Sequence, residues 1–209
     1  ETGFDLDTTA DLEDDTDLAV SVAEVINDVE SGNVTLTLSG VDADADSVTV
    51  TLTDDDGTAV TAAAVAGNNG DWTVDVSGGA LIDGDVSVAV DMTDDAGNTA
   101  SASTSFDLDT TADAEDSLDL AVAVDTVIND AESGNVTLTL SGVDADASSV
   151  TVTLTDSNGI TATAAATAGN NGDWTVDVSG GTLIDGNVSV AVDMTDDAGN
   201  TASAATSFD

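Results

Sequence analysis

The chain contains no lysine, no arginine and no histidine. Its 43 aspartates and glutamates therefore give a formal charge of −43 over 209 residues, with no side-chain cation to offset any of it. Two like charges ~4 Å apart repel by about 1 kcal/mol in water and by more beside a low-dielectric surface, and ordinary surfaces limit the effect by mixing signs. The positive charge missing here has to come from solution, as salt, as bound metal ions, or as both. The same absence excludes nucleic-acid binding, which needs a basic footprint, and attraction to anionic lipid headgroups. There is no cysteine, so no disulfide can staple the fold, and no proline stiffens the loops. Tyrosine is absent and aromatics make up only 2% of the residues. Candidate nucleophiles and acid–base groups thus reduce to carboxylates and hydroxyls. A carboxylate-pair glycosidase is chemically conceivable but would lack aromatic sugar platforms, and the chain is expected not to be an enzyme. No apolar run approaches the ~20 residues that span a bilayer, and no signal-peptide pattern opens the sequence. The chain starts and stops inside a repeat, which leads us to expect a monomeric fragment of something longer.

High net charge with few rings often means disorder, but 41% of the residues are hydrophobic, and many are valines in regular alternation. Phe4-Asp-Leu-Asp-Thr-Thr-Ala-Asp11 recurs 102 residues later as Phe106-Asp-Leu-Asp-Thr-Thr-Ala-Asp113, and Phe208-Asp209 begins a third occurrence at the same spacing. Aligned over that period the two copies differ at only 17 positions. A repeat this long is an array of domains rather than a solenoid, whose units run ~20–50 residues.

Within each copy the pattern has period two. Val34-Thr-Leu-Thr-Leu38, Val48-Thr-Val-Thr-Leu52, Trp72-Thr-Val-Asp-Val76 and Val86-Ser-Val-Ala-Val-Asp-Met92 alternate apolar with polar residues, as half-buried strands do. Valine and threonine suit the pleat because their β-carbons are branched. Asp56-Gly57, Gly67-Asn-Asn-Gly70, Gly78-Gly79, Asp83-Gly84 and Gly97-Asn98 supply turns between them. The first copy reads as seven strands, roughly 17–25, 33–41, 47–54, 58–66, 71–77, 86–93 and 99–106. The Ala-rich stretch 59–66 could be helical, but its β-branched residues and flanking turns favour a strand. Seven short strands in about 100 residues describe an immunoglobulin-like sandwich, here without the Cys…Trp…Cys hallmark. The fold class expected is all-β: two tandem seven-stranded immunoglobulin-like β-sandwich domains joined by short acidic linkers. Residues 1–11 would be a linker segment from a preceding repeat, 12–106 the first repeat, 107–113 an interdomain linker and 114–209 the second repeat. Trp72 and Trp174 fall in strand alternation and read as core.

The acids are not evenly spread. Residues 5–17 hold seven of them, including Asp5, Asp7 and Asp11, and residues 107–119 hold six, including Asp107, Asp109 and Asp113. In an extended chain positions i and i+2 face the same way, about 6–7 Å apart, so Asp107 and Asp109 can converge on one ion. Hard cations such as Ca²⁺ take six to eight oxygens at ~2.3–2.6 Å from carboxylates, carbonyls and amides. If the strands alternate up and down, the loops after the second, fourth and sixth strands gather at the end where the chain enters a domain. In the second copy these carry Asp144 and Asp146, then Asn170-Asn171-Gly-Asp173, then Asp196, Asp197 and Asn200; in the first, Asp42, Asp44, Asp94, Asp95 and Asn98. The exit end carries Asp28 and Glu30, with Asp130 and Glu132 in the second copy, besides Asp54-Asp-Asp-Gly57 and Asp83-Gly-Asp85. All these positions apart from the 54–57 and 83–85 turns and Asn170–Asp173 are candidate Ca²⁺ ligands. The linker Asp-x-Asp leads, because it would lie between two acidic rims that repel without metal. Magnesium, with its stricter octahedron and tightly held water, would clamp less well.

Other readings compete at several motifs. Asp42-Ala-Asp-Ala-Asp46 begins like an EF-hand loop, but Ser47 and Thr53 stand where glycine and glutamate are required, so an EF-hand is rejected. Asp54-Asp-Asp-Gly57 becomes Asp156-Ser-Asn-Gly159 in the second copy, which suits a hairpin turn. For Asp94-Asp-Ala-Gly-Asn98 a turn and a metal role are compatible. The acidic surface as a whole could answer high salt alone.

Taken together, Thr93-Asp-Asp-Ala-Gly-Asn-Thr-Ala100 followed by Phe106-Asp-Leu-Asp-Thr-Thr-Ala112 resembles the junction of tandem bacterial immunoglobulin-like repeats in large calcium-dependent surface adhesins of the biofilm-associated and RTX type. Val25-Ile-Asn-Asp-Val-Glu30 and Asn69-Gly-Asp-Trp-Thr-Val74 are similar to further pieces of that pattern, and the order and spacing of the motifs, not any single one, carry the likeness. That family often has proline after Thr-Thr-Ala, where this chain has Asp11 and Asp113. The resemblance implies an extracellular extender module on a bacterial surface, secreted by the type I route, whose partners are neighbouring repeats of the same chain and whose junctions Ca²⁺ stiffens. A glycan- or ice-binding adhesin domain is the alternative, suggested by outward Thr-x-Thr rows.

Overall fold

The computed structural model describes residues 3, 6–10, 17–41, 45–64, 70–74, 80–112, 119–166, 172–176 and 183–209. They fall into two compact units, Glu1–Thr110 and Thr111–Asp209, and both are sandwiches of largely antiparallel sheets. In unit 1 the strands are β1 (Ala19–Ser21), β2 (Val25–Ile26), β3 (Val34–Ser39), β4 (Ala45–Thr53), β5 (Ala59–Ala64), β6 (Gly70–Val74), β7 (Gly84–Asp94) and β8 (Thr99–Leu108). One sheet has the order β1-β3-β6, the other β2-β8-β7-β4-β5. Unit 2 repeats this with β9 (Ala121–Val124), β10 (Val136–Ser141), β11 (Ala147–Asp156), β12 (Thr161–Ala166), β13 (Gly172–Val176), β14 (Val188–Asp196) and β15 (Thr201–Phe208), in the orders β13-β10-β9 and β12-β11-β14-β15. No helix among the described residues is long and apolar enough to cross a membrane.

The period-two pattern builds the core directly. Val34, Leu36 and Leu38 face inward from β3 and meet Val48, Val50 and Leu52 of β4 and Val86, Val88 and Val90 of β7, all at most 1% exposed. Burying a side chain of this size is worth about 1.5–3 kcal/mol. Val136, Leu138, Leu140, Val150, Val152, Leu154, Val190 and Val192 repeat the arrangement in unit 2. On the outer faces Thr35 and Thr37 are exposed, whereas Thr49, Thr51 and Thr53 are half-buried. The Ala-rich stretch is the strand β5, paired along its length with β4. The side chains of Trp72 and Trp174 lie outside the described residues, as do residues 75–79.

The first strand departs from the expected continuous run over 17–25. β1 pairs antiparallel with β3 in one sheet, and the chain then crosses so that β2 pairs parallel with β8 in the other, Val25 opposite Asp107 and Ile26 opposite Leu108. A straight strand could cover the open edge of only one sheet; breaking it covers an edge of both. Unit 2 makes the same crossing, with the Asp209 N–H donating to Thr126 O (2.9 Å) and the Ile128 N–H to Asp209 O (2.8 Å). Gly40 (φ 77°) ends β3 where a Cβ would lie 2.3 Å from Asp17 O, so the approach of the incoming chain demands glycine there.

Two buried carboxylates tie loops at one end of each sandwich. Asp54, 5% exposed, accepts the N–H of Thr58 (2.7 Å) on Oδ1 and that of Ile82 (3.1 Å) on Oδ2. Asp156 accepts from Asn158 and Ile160 (both 2.9 Å) and from Ile184 (3.1 Å). Burial pushes the Asp156 carboxyl up, but the N–H groups of Ile160, Ile184, Asn158 and Gly159 outweigh it and hold it below the usual carboxylate range. Its stabilisation is therefore complete above the ordinary aspartate value of about 3.9 and disappears as pH falls through the lowered folded value.

Leu36→Ala should destabilise unit 1 by about 2–5 kcal/mol, read as an earlier urea transition for that unit alone. Asp156→Asn should flatten the acid limb of the unit 2 stability–pH curve below about pH 4, measured by melts at successively lower pH.

Candidate metal centre

At one end of unit 2 two loops bring acids together. β11 begins at Ala147, opposite Asp196 at the end of β14, with a register shift between Ala147 and Ser149. Ser148, freed from the ladder by that bulge, donates its hydroxyl to Thr195 O (3.0 Å) and Asp196 O (2.8 Å), which fixes the start of β11 against the end of β14. Asp146, one residue before β11, thereby lies with a carboxylate oxygen within 4.8 Å of one from Asp196.

Asp196 is only 2% exposed. Its Oδ1 accepts the N–H groups of Gly199 (2.6 Å) and Asn200 (2.8 Å), and its Oδ2 accepts from Asn200 Nδ2 (2.8 Å). Gly199 at φ 95° lets the turn close tightly enough for these bonds. Three donors still leave lone-pair capacity on the two oxygens. Asp146 is differently placed: burial, then the negative charges of Asp144, Asp196 and Asp197, raise its carboxyl above the usual range. Four acids thus share one end of the unit with no side-chain cation. A hard divalent cation held here would offset the coulombic penalties on Asp146.

Unit 1 has the same turn. Asp94, 3% exposed, accepts from Asn98 N (2.7 Å) and Asn98 Nδ2 (2.7 Å). Burial pushes its carboxyl up, but the Asn98 side chain and the N–H groups of Asn98, Gly97 and Ala96 win and hold it low. Asp95 is exposed beside it. Asp42 and Asp44, the counterparts of Asp144 and Asp146, lie outside the described residues, as do Asp5, Asp11 and Asp113. Asp7 accepts the Thr9 N–H (3.2 Å) in a local turn.

At the opposite end two acids, Glu30 and Glu132, cap the backbone with their carboxylates. Asp28–Ser31 forms a single helical turn, α1, in which Asn27 accepts the Glu30 N–H (3.0 Å) and Glu30 accepts the Asn27 N–H (3.4 Å), a capping box. In unit 2 Glu132 similarly accepts the Asn129 N–H (3.1 Å), and Asp130 O takes the Ser133 hydroxyl (2.9 Å). Asp107 and Asp109 follow the edge of unit 1, donating N–H to Glu24 O and Ile26 O (both 2.9 Å). The structure also shows a contact that sequence spacing did not suggest: Thr110 donates its N–H (3.0 Å) and its hydroxyl (2.8 Å) to the Asp83 carboxylate, 27 residues away. Only the recurrence of Asp-Gly at the start of the seventh-strand region in both copies, Asp83-Gly84 and Asp185-Gly186, hints at it.

The sheet orders and the strand-end acid turns define an immunoglobulin-like repeat. Residues 6–110 and 111–209 each match the bacterial Ig-like domain family. The chain belongs to that family, as two tandem copies. No curated protein matches it. Among solved structures, a tetra-tandem repeat from the extending region of a large adhesion protein is 35% identical over 92% of this chain and 49% of its own, with a TM-score of 0.38. A structure described as bearing on host cell surface retention of a 1.5-MDa bacterial ice-binding adhesin is 26% identical over 92% of this chain and 62% of its own, with a TM-score of 0.49. A two-domain fibronectin type-III segment of chicken tenascin is 12% identical, covering 91% and 97%, with a TM-score of 0.36. This chain therefore spans about half and about three-fifths of the first two.

In chelator at pH 7, Asp146→Asn should stabilise unit 2 by somewhat under 1 kcal/mol, since solvent screens most of the repulsion. Because the folded carboxyl is raised, the wild-type penalty is felt above that value, so the gain should fade as pH is lowered through it. Parallel melts of the two proteins from pH 7 to pH 4 check the sign.

Proposed function

We propose that this chain is an extender segment of a large bacterial surface adhesin, a structural element that projects a binding tip rather than a catalyst. The observation that carries the reading is the immediate succession of two near-identical sandwiches, unit 1 ending at Thr110 and unit 2 beginning at Thr111. Each further copy of such a unit adds the same length of rod, so close sequence copies serve reach rather than diversity. The role is the one that the tetra-tandem structure's description states for its own protein. An extracellular, cell-surface location goes with it, and the neighbouring repeats of the same chain are the principal partners.

In this reading Ca²⁺ supplies the cation that the composition omits. The ligand set proposed at the junction is Asp146 and Asp196, with Asp144, Asp197 and the Asn200 amide close by and with Asp107, Asp109 and Asp113 contributed by the linker. The crowding of charge around Asp146 supports it. The corresponding set at the start of the chain is Asp5, Asp7 and Asp11 with Asp42, Asp44, Asp94, Asp95 and Asn98. Binding would replace repulsion with bridging and stiffen the joint.

The test is melting and small-angle scattering in EDTA and in millimolar Ca²⁺ at one ionic strength. At a concentration about a hundred times the dissociation constant, linkage adds about 2.7 kcal/mol, which raises the melting temperature of a ~100-residue domain by on the order of 10 °C. Calcium should also lengthen and narrow the scattering distance distribution. Asp107→Asn with Asp109→Asn should abolish the second effect while both units stay folded. An unchanged melt together with an unchanged distribution sinks the calcium assignment.

A further inference from the structure

Unit 1 closes its larger sheet with a parallel pair drawn from opposite ends of its fold. β2 comes early in the unit and β8 is its last strand, yet Val25 lies opposite Asp107 and Ile26 opposite Leu108. The Asp107 N–H donates to Glu24 O and the Asp109 N–H to Ile26 O, both at 2.9 Å. Ile26, Leu81 and Leu108 join the core here and are 3%, 5% and 2% exposed.

One more contact holds the same end of β8. Thr110, the last residue of unit 1, gives its N–H (3.0 Å) and its hydroxyl (2.8 Å) to the carboxylate of Asp83, immediately before β7. An ionised acceptor makes such bonds roughly twice as strong as neutral ones. The β7–β8 ladder is weakened at this point, because Asp85 stands directly opposite Asp107 and like charges so placed repel.

Tension along the chain draws β2 toward its N-terminal side and β8 toward its C-terminal side. Because the two strands are parallel, these pulls slide one past the other and load every bond between them at once. An antiparallel hairpin pulled open at its ends gives way one bond at a time instead. Sliding also carries Ile26 and Leu108 out of the core into water, at a cost that grows with the apolar area exposed. Thr110 takes the load first, where the chain leaves the unit. Held to Asp83, it keeps the end of β8 from peeling sideways and commits the pull to sliding.

We propose that the β2–β8 pair, fastened by the Asp83–Thr110 contact, is a shear clamp that sets the force at which unit 1 opens. The inference rests on the extender reading, since a segment between a surface and a binding tip is stretched end to end.

The experiment is single-molecule force spectroscopy on the whole 209-residue chain in EDTA, so that calcium has no part in the result. The sequence has no cysteine, and one cysteine added at each end attaches the handles and fixes the pulling axis. Wild type, Thr110→Val, Thr110→Ser and Leu36→Ala are compared at constant force, beside bulk melts of each. Two unfolding events are expected per chain, one for each unit. Thr110→Val removes the hydroxyl bond to the carboxylate and should speed one of the two events by about tenfold. Thr110→Ser keeps a hydroxyl and should match the wild type. Leu36→Ala lies outside the clamp; it should lower the melt further than Thr110→Val yet speed forced unfolding less. Unchanged rates in Thr110→Val, or rates that simply follow the order of melting stability, overturn the clamp. Such a failure leaves the extender reading untouched, because reach and stiffness are read from scattering and not from resistance to force.

Discussion

A carboxylate that leaves water in this protein can be met only by N–H and O–H donors, because no side chain carries a positive charge. That constraint decides where acids can be buried. Asp54, Asp94, Asp156 and Asp196 are all at most 5% exposed, and all stand at strand ends, where a turn frees N–H groups from the ladder. Each collects two or three of them, within its own turn and, for Asp54 and Asp156, from a segment 28 residues away. Mid-strand the N–H groups are committed to neighbouring strands, and there the buried positions hold Val, Leu and Met. The acids therefore organise the ends of the sandwich and the aliphatic residues its middle.

The strand-end acids differ in how completely that demand is met. Asp94 and Asp156 are held low because hydrogen bonds outweigh burial. Asp146 is held high because its surroundings add charge to burial. The first pair tie their turns through N–H donors. At the Asp146 cluster a cation would relieve the crowding of charge.

Much of the fold was legible in the residues themselves. Alternation in 34–38, 48–52 and 86–92 can be satisfied only by strands with one face buried, and the repeat at 102 residues doubles whatever fold one copy adopts. The split of the first strand was not legible, because β1 and β2 are separated by nothing more distinctive than Val22-Ala-Glu24, and it is the open edges of two sheets that divide them. The acids of the Asp94 and Asp196 turns were visible as candidate ligands. Their bonds to Asn98 and Asn200 show them to be turn ties as well. Asp54 and Asp156 could be recognised as turn residues; that they also bind Ile82 and Ile184 depended on which loops meet at that end. Glu30 and Glu132, candidates by charge alone, are engaged in local caps.

Composition and pattern by themselves determined an all-β, polyanionic, twice-repeated chain with an aliphatic core and a need for external cations, since these follow from side-chain period and charge count. Only the tertiary structure decided which acids share one end of a unit and which are already answered by N–H groups. It alone distinguished a buried Leu108 from an exposed Leu6 in identical local sequence. Period and charge are properties of residues and their neighbours along the chain, whereas solvation of a carboxylate or a leucine depends on which distant segments close over it.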